Sequence, residues 1–468
     1  MGHRKVVIVG GGVSGLAAAY ALSRLADVPE VILLEASAGL GGKIAANDIG
    51  GRLIDAGPDA LLIRDPAVRA LLEDLGLADR MQAPTARGSF VWTRERLRVL
   101  PPATLFGVPE KLMPLITSGL ISWQGLLRAA ADFVLPRLPR PSDPTVGQLL
   151  RPRLGREVFD KLVDPLLGGI YAGRAQSLSA SSAVPEVAAL LKPARSIYLT
   201  MRERSAKKPA AAPTPTLINF PGGMNAIVDA LVAHSPARIE RAVKVVAIER
   251  GKRRWRLQTE DGREFKADHV VMATPAFEAA ALLRDVDGVL ADALAGIPYA
   301  SVANVTFMYP SSAIDQSQRG TGFLVPAVDG RFIVGCTWLD QKWGRAVLTP
   351  SGSGTPVGDD VTYIRTSVGR YGDEAWVGMS NEQIAVRAHA ELVLAMGIKG
   401  TPISSTVQRW PQAMPQYTVG HAQRLAVIDA RLAKLPGLHV IGAGYRGVGV
   451  ASCLIRSQAV AERIGAHE

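Results

Sequence analysis

Apolar runs alternate with glycine-rich turns at both ends of the chain. Residues 5–9 (KVVIV) and 30–35 (EVILLE) are aliphatic runs typical of strands buried on both faces of a parallel sheet. Between them, residues 16–25 (LAAAYALSRL) are rich in Ala and Leu and predict a helix. The same order recurs at 438–464, where LHVIGAGYRGVGV precedes a helical stretch. The pattern predicts two strand–turn–helix units of a single nucleotide-binding domain.

The middle of the chain changes from helical to strand-rich patterns. After an amphipathic helix at about 66–75, residues 89–93 and 96–101 predict strands, and proline-broken helices follow up to about residue 204. Alternating and apolar runs then predict strands over 239–249, 255–259 and 269–274 and repeatedly within 298–380, before a helix at 381–397.

Composition indicates a globular protein with more than one lobe. The chain has 468 residues, 48% of them hydrophobic and 20% charged, which exceeds one ordinary core. Its net charge of +11 suits an anionic partner such as a polycarboxylate, a nucleotide or an anionic membrane surface, although a compositional preference for arginine gives the same excess. No basic run is interleaved with aromatic residues, so we expect no nucleic-acid partner.

Cysteine usage and the first residues predict a cytoplasmic protein. Cys336 and Cys453 are the two cysteines of the sequence, too few for a disulfide framework or a cysteine metal cluster, and we expect no metal. The segment MGHRKVVIVGGG enters a strand without the apolar leader of a signal peptide.

The most lipid-like region spans residues 105–138. It holds many Leu, Ile and Met residues with Trp123 and Phe133, but Lys111, Arg128 and several prolines interrupt it. No uninterrupted apolar stretch reaches the roughly 18 residues of a membrane-spanning helix. Core helices of a substrate lobe and a membrane-contacting patch both explain this pattern.

The first glycine turn has the spacing of a dinucleotide site. Gly10, Gly12 and Gly15 form GxGxxG between strand and helix, and Glu35 ends the next strand. Glycines there allow the tight turn, close approach of the backbone to a pyrophosphate, and close packing of helix on strand. The helix N-terminus offers N–H groups and its positive dipole end to phosphates. Glu35 can accept hydrogen bonds from ribose hydroxyls, and its charge disfavours a 2′-phosphate.

Three further turns also contain glycine: Gly41-Gly42-Lys43, Asp55-Ala56-Gly57-Pro58-Asp59 and Gly447-Val448-Gly449-Val450. These segments resemble those of flavin amine oxidases, which implies FAD, bound non-covalently. In that superfamily a second glycine pair extends the pyrophosphate cradle, a GP turn lies against the isoalloxazine ring, and a C-terminal turn places backbone amides beside the flavin C2 carbonyl. Such amides and the helix dipole stabilise the negative charge of reduced flavin. The cofactor-binding residues expected here are Gly10, Gly11, Gly12, Val13, Ser14, Gly15, Glu35, Ala36, Gly41, Gly42, Lys43, Ala56, Gly57, Pro58, Asp59, Val245, Thr274, Trp410, Gly447, Val448, Gly449 and Val450.

The expected fold class is α/β: a discontinuous Rossmann-like FAD-binding domain, a mixed-sheet substrate domain and a helical lobe. The expected bounds are 1–85, 220–297 and 405–468 for the FAD-binding domain, 86–105 and 298–404 for the substrate domain, 106–205 for the helical lobe, and 206–219 for a linker rich in Ala and Pro.

The middle and C-terminal parts of the chain carry strings that are more specific than the dinucleotide fingerprint. They are YAGRAQSLS at 171–179 and PQYTVGH at 415–421, supported by NFPGGMN at 219–225 and GFLVP at 322–326. Over nearly its whole length the chain resembles the protoporphyrinogen/coproporphyrinogen oxidase family of haem biosynthesis. Within the family it is similar to the bacterial, Gram-positive type, which implies coproporphyrinogen III, a tetracarboxylate, as substrate.

The resemblance implies a six-electron oxidation of coproporphyrinogen III to coproporphyrin III. Flavin N5 would take hydride from a bridge carbon, the pyrrole proton would pass to water, and O2 would reoxidise FAD with release of H2O2. We therefore assign no catalytic side chain. The family also leaves open a peripheral membrane location and transient contacts with other haem-pathway enzymes.

Two departures bear on the substrate site. Mitochondrial and plant members carry an arginine just before an aromatic-apolar strand, where this chain has Ser89, and their GPR or GPN turn is Gly57-Pro58-Asp59 here. This implies a differently organised carboxylate site. Candidates for the wall over the flavin are Gly322, Phe323 and Leu324, and candidates for binding propionates are Arg64, Tyr171, Arg174 and Arg370.

Other interpretations remain at this point. Protoporphyrinogen IX is the alternative substrate, and a flavin amine oxidase, a desaturase, a non-catalytic flavin-binding protein or an NAD-dependent dehydrogenase are alternative functions. His421 has the residue type of a general base, but a histidine beside a turn more often bonds to backbone, so we interpret it as structural.

Overall fold

The computed structural model describes residues 4–102, 104–136, 141–191, 196–206, 216–315, 317–345, 347–348, 358 and 360–466. Its strands, in chain order, are β1 Lys5–Val9, β2 Glu30–Leu34, β3 Ala46–Ile49, β4 Arg52–Asp55, β5 Leu61–Leu62, β6 Phe90–Thr93, β7 Arg96–Val99, β8 Thr104–Leu105, β9 Val108–Pro109, β10 Leu217–Ile218, β11 Arg238–Glu240, β12 Val245–Arg250, β13 Trp255–Thr259, β14 Glu264–Ala267, β15 His269–Met272, β16 Tyr299–Pro310, β17 Gly322–Leu324, β18 Ile333–Trp338, β19 Val361–Val368, β20 Ser404–Pro415 and β21 Leu438–Val440.

The α-helices begin and end as the local sequence dictates. Asp65 caps the second helix ahead of Pro66, and Ser380 with Gln383 forms a capping box at the fifteenth. In chain order they are α1 Val13–Leu22, α2 Pro66–Asp74, α3 Met113–Thr117, α4 Trp123–Ala130, α5 Val146–Leu154, α6 Arg156–Val158, α7 Asp164–Tyr171, α8 Ala180–Ala183, α9 Pro185–Leu191, α10 Ile197–Ala206, α11 Asn225–Ala233, α12 Ala276–Leu282, α13 Gly288–Ala295, α14 Leu339–Trp343, α15 Asn381–Met396, α16 His421–Leu432 and α17 Val450–Gly465.

A parallel sheet of five strands, in the order β11-β2-β1-β15-β21, is buried on both faces. Along β1, Val6 and Ile8 enter one hydrophobic core while Val7 and Val9 enter the other. This alternation follows from the pleat of a strand and explains why KVVIV carries no polar position after Lys5. The strands come from three distant parts of the chain, as the Rossmann-like prediction requires.

A second, mixed sheet of seven strands has the order β20-β16-β19-β18-β17-β6-β7, with β17 and β6 parallel and the other neighbours antiparallel. One face packs on α15 through residues such as Phe307 and Ile364. The opposite face carries Asn304, Arg365 and Trp410, which reach the turn after β4. The mixed sheet thus meets the nucleotide-binding domain along one side.

A helical lobe completes the molecule and confirms the predicted fold class. Helices α3 to α10 enclose a core that includes Leu149, Phe159 and Leu167. Among the described helices, none combines the length and hydropathy that crossing a membrane requires. Most of the predicted linker, residues 207–215, lies outside the described residues.

One domain bound needs correction. Strand β20 pairs with β16 from Ser404 to Pro415, so residues 405–415 belong to the mixed sheet and not to the nucleotide-binding domain. The prediction assigned them wrongly because they lie close in sequence to the glycine-rich closing motif, which marks the nucleotide-binding domain. The other bounds stay predictions.

Helix α16 begins at a buried histidine. His421 is 1% exposed, stacks on the Tyr417 ring with centroids 4.1 Å apart, and its Nε2 lies 2.8 Å from the Tyr445 carbonyl oxygen. Since a carbonyl only accepts, Nε2 carries the proton of the neutral ring. Burial lowers the pKa of His421; Arg424 and Arg446 act in the same direction, and the Tyr445 carbonyl and Asp143 oppose them. This geometry supports the structural interpretation of His421.

We predict that acidification destabilises the protein in part through His421. Its pKa is lower in the folded than in the unfolded chain, so the unfolded state binds the proton first and the free energy of unfolding falls below about pH 6.5. His421→Phe keeps a stacked ring but loses the hydrogen bond and the titration, which costs about 1–3 kcal/mol at neutral pH. Urea unfolding at neutral and mildly acidic pH should show a smaller acid-induced loss in the variant. His234→Gln, at an exposed histidine, is the control and should lose as much unfolding free energy on acidification as the wild type. If His421→Phe also loses as much as the wild type, the prediction is wrong.

Candidate cofactor and substrate site

The first glycine turn brings backbone against backbone. A Cβ atom at Gly15 would lie 1.9 Å from the Gly10 carbonyl oxygen, and one at Gly10 would lie 3.1 Å from the Ala273 carbonyl oxygen. Gly10 also has a φ of +109°, which side chains rarely permit. Helix α1 follows N-cap Gly12, which has no side chain to occupy the first free N–H groups. Free N–H groups at a helix terminus are suited to binding a phosphate.

Glu35 lies at the carboxyl end of β2, beside this turn. One carboxylate oxygen accepts the Gly11 N–H at 2.6 Å, and the other accepts the backbone N–H and hydroxyl of Ser37 at 2.8 and 2.7 Å. A carboxylate has acceptor capacity beyond these bonds, so Glu35 and the neighbouring Ala36 can meet a ribose. The Glu35 carbonyl accepts the Val243 N–H at 2.8 Å, which places the strand of Val245 close by.

The second glycine pair lies directly on the first. Gly41 bridges to Gly12, and a Cβ at Gly42 would lie 3.1 Å from the Gly12 Cα. Lys43 follows with its Nζ 5.9 Å from the Tyr299 ring centroid, and burial lowers its pKa. The two turns therefore form one continuous cradle, as the sequence predicts.

The closing turn places a second helix terminus at the same edge of the sheet. Gly447 has a φ of +113°, and its N–H donates to the Tyr417 hydroxyl at 2.7 Å. Helix α17 begins at Val450 after N-cap Gly449, past Val448. Helices α1 and α17 pack together, with the Ser457 hydroxyl donating to the Ser14 carbonyl at 2.8 Å. Both helices follow parallel strands, so their N-termini share the carboxyl edge.

The GP turn is held from the mixed sheet. The Ala56 carbonyl accepts from Asn304 Nδ2 at 2.8 Å and from Trp410 Nε1 at 3.0 Å. A Cβ at Gly57 would lie 1.9 Å from the Lys43 carbonyl oxygen. Half-buried Trp410 is thus part of the wall behind the turn, consistent with its predicted place near the cofactor, and Pro58 completes the turn.

Asp59 ends this turn as a half-buried carboxylate, with 13% of its side chain exposed. It lies 2.9 Å from Lys342 Nζ and 3.1 Å from Arg365 Nη2, and accepts from Trp343 Nε1 at 3.2 Å. Burial alone would raise the pKa of Asp59, but Lys342 and Arg365 outweigh it and hold the pKa well below its ordinary value. Asp59 is therefore ionised and paired.

The pKa of Asp55, at the start of the turn, is shifted in the opposite direction to that of Asp59. The Asp55 carboxylate accepts from Asn219 Nδ2 at 3.0 Å and from the Met224 N–H at 2.9 Å. Burial nevertheless raises the pKa of Asp55 to about 6. The family string NFPGGMN thus holds the GP turn from behind, a role that the sequence did not reveal.

The predicted substrate wall is refined by strand register. Gly322 has a φ of +129°, and a Cβ there would lie 2.0 Å from the Cys336 carbonyl oxygen. Phe323 is 2% exposed and its ring contacts Trp92 edge-on, so it points into the core beside α15. Leu324 is half-buried and lies 3.5 Å from the Cβ position of Gly169. Of the three, Leu324 presents its side chain toward the helical lobe.

The predicted propionate-binding residues fall into two groups. The Tyr371 N–H donates to the Ala172 carbonyl at 2.7 Å, so the loop of Arg370 packs on the loop of Arg174. Burial raises the pKa of Asp164, and both arginines oppose that rise. Arg370 is 6% exposed, burial lowers its pKa, and its Nε has no partner among the described residues. The structure thus brings Arg174 and Arg370 together.

Tyr171 and Arg64 lie elsewhere. The Tyr171 hydroxyl is buried and donates to the Ala183 carbonyl at 2.8 Å, so it faces the helical core. Arg64 is exposed after β5, and no described contact joins it to the pair of arginines. Ser89, where an arginine was expected, pairs with the Thr321 hydroxyl at 2.7 Å.

The geometry of the described residues fits FAD. Two uncapped helix termini, backbone approaches that exclude a Cβ, and the acceptor Glu35 suit a dinucleotide. Thr274 Oγ1 is buried beside Gly10 and has no partner in the part of the chain that the structure describes. Sequence reasoning missed Asn219, Asn304, Lys342 and Arg365, although Asn219 lies in a string it singled out.

Comparison with known proteins agrees with this geometry. The family model for flavin-containing amine oxidoreductases matches residues 13–465. The coproporphyrinogen III oxidase of Bacillus subtilis is 32% identical over 98% of this chain and 97% of its own length, and that of Mycobacterium tuberculosis is 35% identical over 97% and 96%. The crystal structure of a candidate protoporphyrinogen oxidase from an Exiguobacterium species has a TM-score of 0.87 and 30% identity, covering 100% of both chains.

These matches confirm the predicted cofactor and class of enzyme: the protein is an oxidoreductase whose cofactor is FAD. The relatives align along almost all of the chain, through both sheets and the helical lobe. The chain belongs to the flavin-containing amine oxidoreductase family, in the group of protoporphyrinogen and coproporphyrinogen oxidases.

Proposed function

We propose that the protein oxidises coproporphyrinogen III to coproporphyrin III in haem biosynthesis, a six-electron reaction. Relatives that bear this name support the substrate class. The observation in this chain that carries the proposal is the pair Arg174 and Arg370, because a buried guanidinium with an unused N–H is suited to a carboxylate. The cofactor-binding residues named from the sequence, with Leu324, Arg174 and Arg370, are part of this proposal, whereas Tyr171 and Phe323 face the protein core.

The proposed carboxylate site lies beyond the end of the strand that contacts the GP turn. Arg370 is five positions after Arg365 and two residues past the end of β19, so their Cα atoms are separated by at most roughly 16 Å at the rise of a strand. A wide macrocycle with carboxylates on its rim bridges such a distance, whereas a small amine does not. Leu324, between the mixed sheet and the helical lobe, supplies an apolar wall for the ring.

In the proposed reaction the chain binds, orients and shields the substrate. FAD, when bound, supplies the acceptor for hydride equivalents from a bridge carbon of the macrocycle. Arg174 and Arg370 fix the carboxylates, and the wall at Leu324 excludes water from the ring face. The pyrrole proton passes to water, and we propose O2 as final acceptor with H2O2 as product.

The substrate is tested by specificity constants. We expect kcat/KM from oxygen uptake to be higher for coproporphyrinogen III than for protoporphyrinogen IX, and no uptake with a panel of amines. A preference for protoporphyrinogen IX would overturn the substrate and keep the reaction. Uptake with amines alone would overturn both, and an unchanged flavin spectrum with every anaerobic substrate would indicate a non-catalytic flavoprotein.

Arg370→Gln is predicted to weaken substrate binding. Loss of a charge-assisted hydrogen bond of about 1.5–3 kcal/mol raises KM for coproporphyrinogen III by about 10- to 100-fold, while FAD content stays at one per chain. Steady-state kinetics and the flavin absorbance measure the two effects. Exposed Arg253→Gln serves as the charge-matched control. A KM unchanged in Arg370→Gln excludes this arginine from the carboxylate site, and Arg174→Gln and Arg64→Gln test the two other arginine candidates.

We also propose peripheral association with an anionic membrane through the apolar face of α3 and α4. Met113, Trp123 and Leu127 on this face are 67%, 68% and 63% exposed. The acidic residues of the same stretch, Glu110 and Asp132, are buried, whereas Lys111 and Arg128 are exposed. The face therefore combines insertable side chains with positive charge, as anionic lipid requires.

Vesicle binding tests this second proposal. Trp123→Ser with Leu127→Ser removes about 1.5–3 kcal/mol of burial per side chain, so the bound fraction on phosphatidylglycerol vesicles should fall at least about tenfold. Val386→Ser, on α15 and also 68% exposed, is the matched control. Equal binding of wild type and variant overturns the membrane role, and loss of binding to another haem-pathway enzyme instead would assign the face to a protein partner.

A further inference from the structure

The Asp55–Asp59 turn is fastened to both halves of the site. On one side Gly57 lies against the Lys43 carbonyl, and Gly42 lies against Gly12 of the pyrophosphate turn. On the other side Arg365 Nη1 donates to the Asp55 carbonyl at 2.7 Å and to the Gly57 carbonyl at 3.1 Å. The turn is thus the point where the cofactor cradle and the mixed sheet are joined.

The side chain of Arg365 alone binds three acceptors at this junction, two backbone carbonyls and one carboxylate. Its Nη2 lies 3.1 Å from Asp59 while Nη1 binds two backbone carbonyls. Only 8% of the Arg365 side chain is exposed, and a planar guanidinium holds such bonds in fixed relative geometry. Lys342, on α14, places a second positive charge 2.9 Å from Asp59.

The same strand leads from the junction to the proposed carboxylate site. Arg365 lies within β19, and Arg370 follows that strand directly. A shift of the GP turn relative to β19 would therefore change the distance between the cofactor and any substrate held at Arg370. The guanidinium of Arg365 opposes such a shift because it binds carbonyls at both Asp55 and Gly57.

We propose that Arg365 and Asp59 are positioning residues that fix the flavin-facing turn against the substrate sheet. They touch neither substrate nor reacting atoms in this assignment; they act through the backbone of Ala56, Gly57 and Pro58. Where the resemblance implies GPR or GPN in mitochondrial and plant members, this chain has an aspartate whose charge is paired with Arg365 and Lys342. The substrate half of this inference rests on the proposed function, whereas the cofactor half does not.

Arg365→Lys separates positioning from charge pairing. Lysine keeps the positive charge beside Asp59 but cannot hold two carbonyls in the geometry of a guanidinium. We expect the variant to fold, to bind FAD about tenfold more weakly, and to change the visible circular dichroism of the bound flavin. Anaerobic reduction by coproporphyrinogen III should slow at least about tenfold with KM nearly unchanged.

Asp59→Asn and a control on the other face of the sheet complete the test. Asp59→Asn leaves buried Arg365 and half-buried Lys342 without their counter-charge and should weaken FAD binding in the same direction. Arg331→Gln breaks an ion pair with Glu391 far from the turn and should leave FAD affinity and circular dichroism unchanged. Melting temperatures are recorded for each variant.

The inference is overturned if Arg365→Lys and Asp59→Asn lower only the melting temperature while FAD affinity, circular dichroism and reduction rate stay as in wild type. A purely structural cluster gives that result. Failure of the proposed function is distinct, because wild-type flavin would then stay oxidised with coproporphyrinogen III while the FAD-binding differences persisted.

Discussion

Contact of backbone with backbone at glycine is the constraint on which the cofactor site depends. Gly15 meets the Gly10 carbonyl, Gly42 meets Gly12, and Gly57 meets the Lys43 carbonyl, each at a separation that excludes a Cβ atom or leaves it no slack. These contacts bring successive turns to one edge of the parallel sheet and leave the N–H groups of α1 free for phosphates. Backbone atoms rather than side chains form this part of the site. Its selectivity for a dinucleotide therefore depends on the shape of the turns and on Glu35.

The elements at the two ends of the chain were predictable because their signals are local. KVVIV, Glu35 and the GxGxxG spacing predict β1, the end of β2 and the cradle from neighbouring residues alone. The same holds for α2 and α15, where caps and amphipathic spacing coincide. Recognition of the family then supplied the cofactor, which no local pattern in the turns specifies by itself.

The residues that join the halves of the site could not be predicted. Arg365 bonds to a carbonyl 310 positions away, and no periodicity links such partners. Phe323 and Leu324 are adjacent apolar residues of one strand, so their side chains point to opposite faces of the sheet. The sequence does not show which of the two faces the core. The sequence predicts that Tyr171 binds a propionate, but in the fold its hydroxyl donates to the Ala183 carbonyl. In each case tertiary contact decides, and the sequence carries only the residue type.

The order of strands in the parallel sheet has a consequence for biosynthesis. Strand β1 is made long before its neighbour β15, which begins at residue 269, and the sheet is completed only by β21 at residue 438. Pairings of such sequence separation form slowly because loop closure precedes the contacts that reward it. Helix α17, which supplies one of the two helix termini at the phosphate-binding edge, follows β21 and is made after every strand of this sheet. The cofactor site is therefore assembled only after residue 450 has been made, and until β21 is made the nascent chain carries an incomplete apolar sheet.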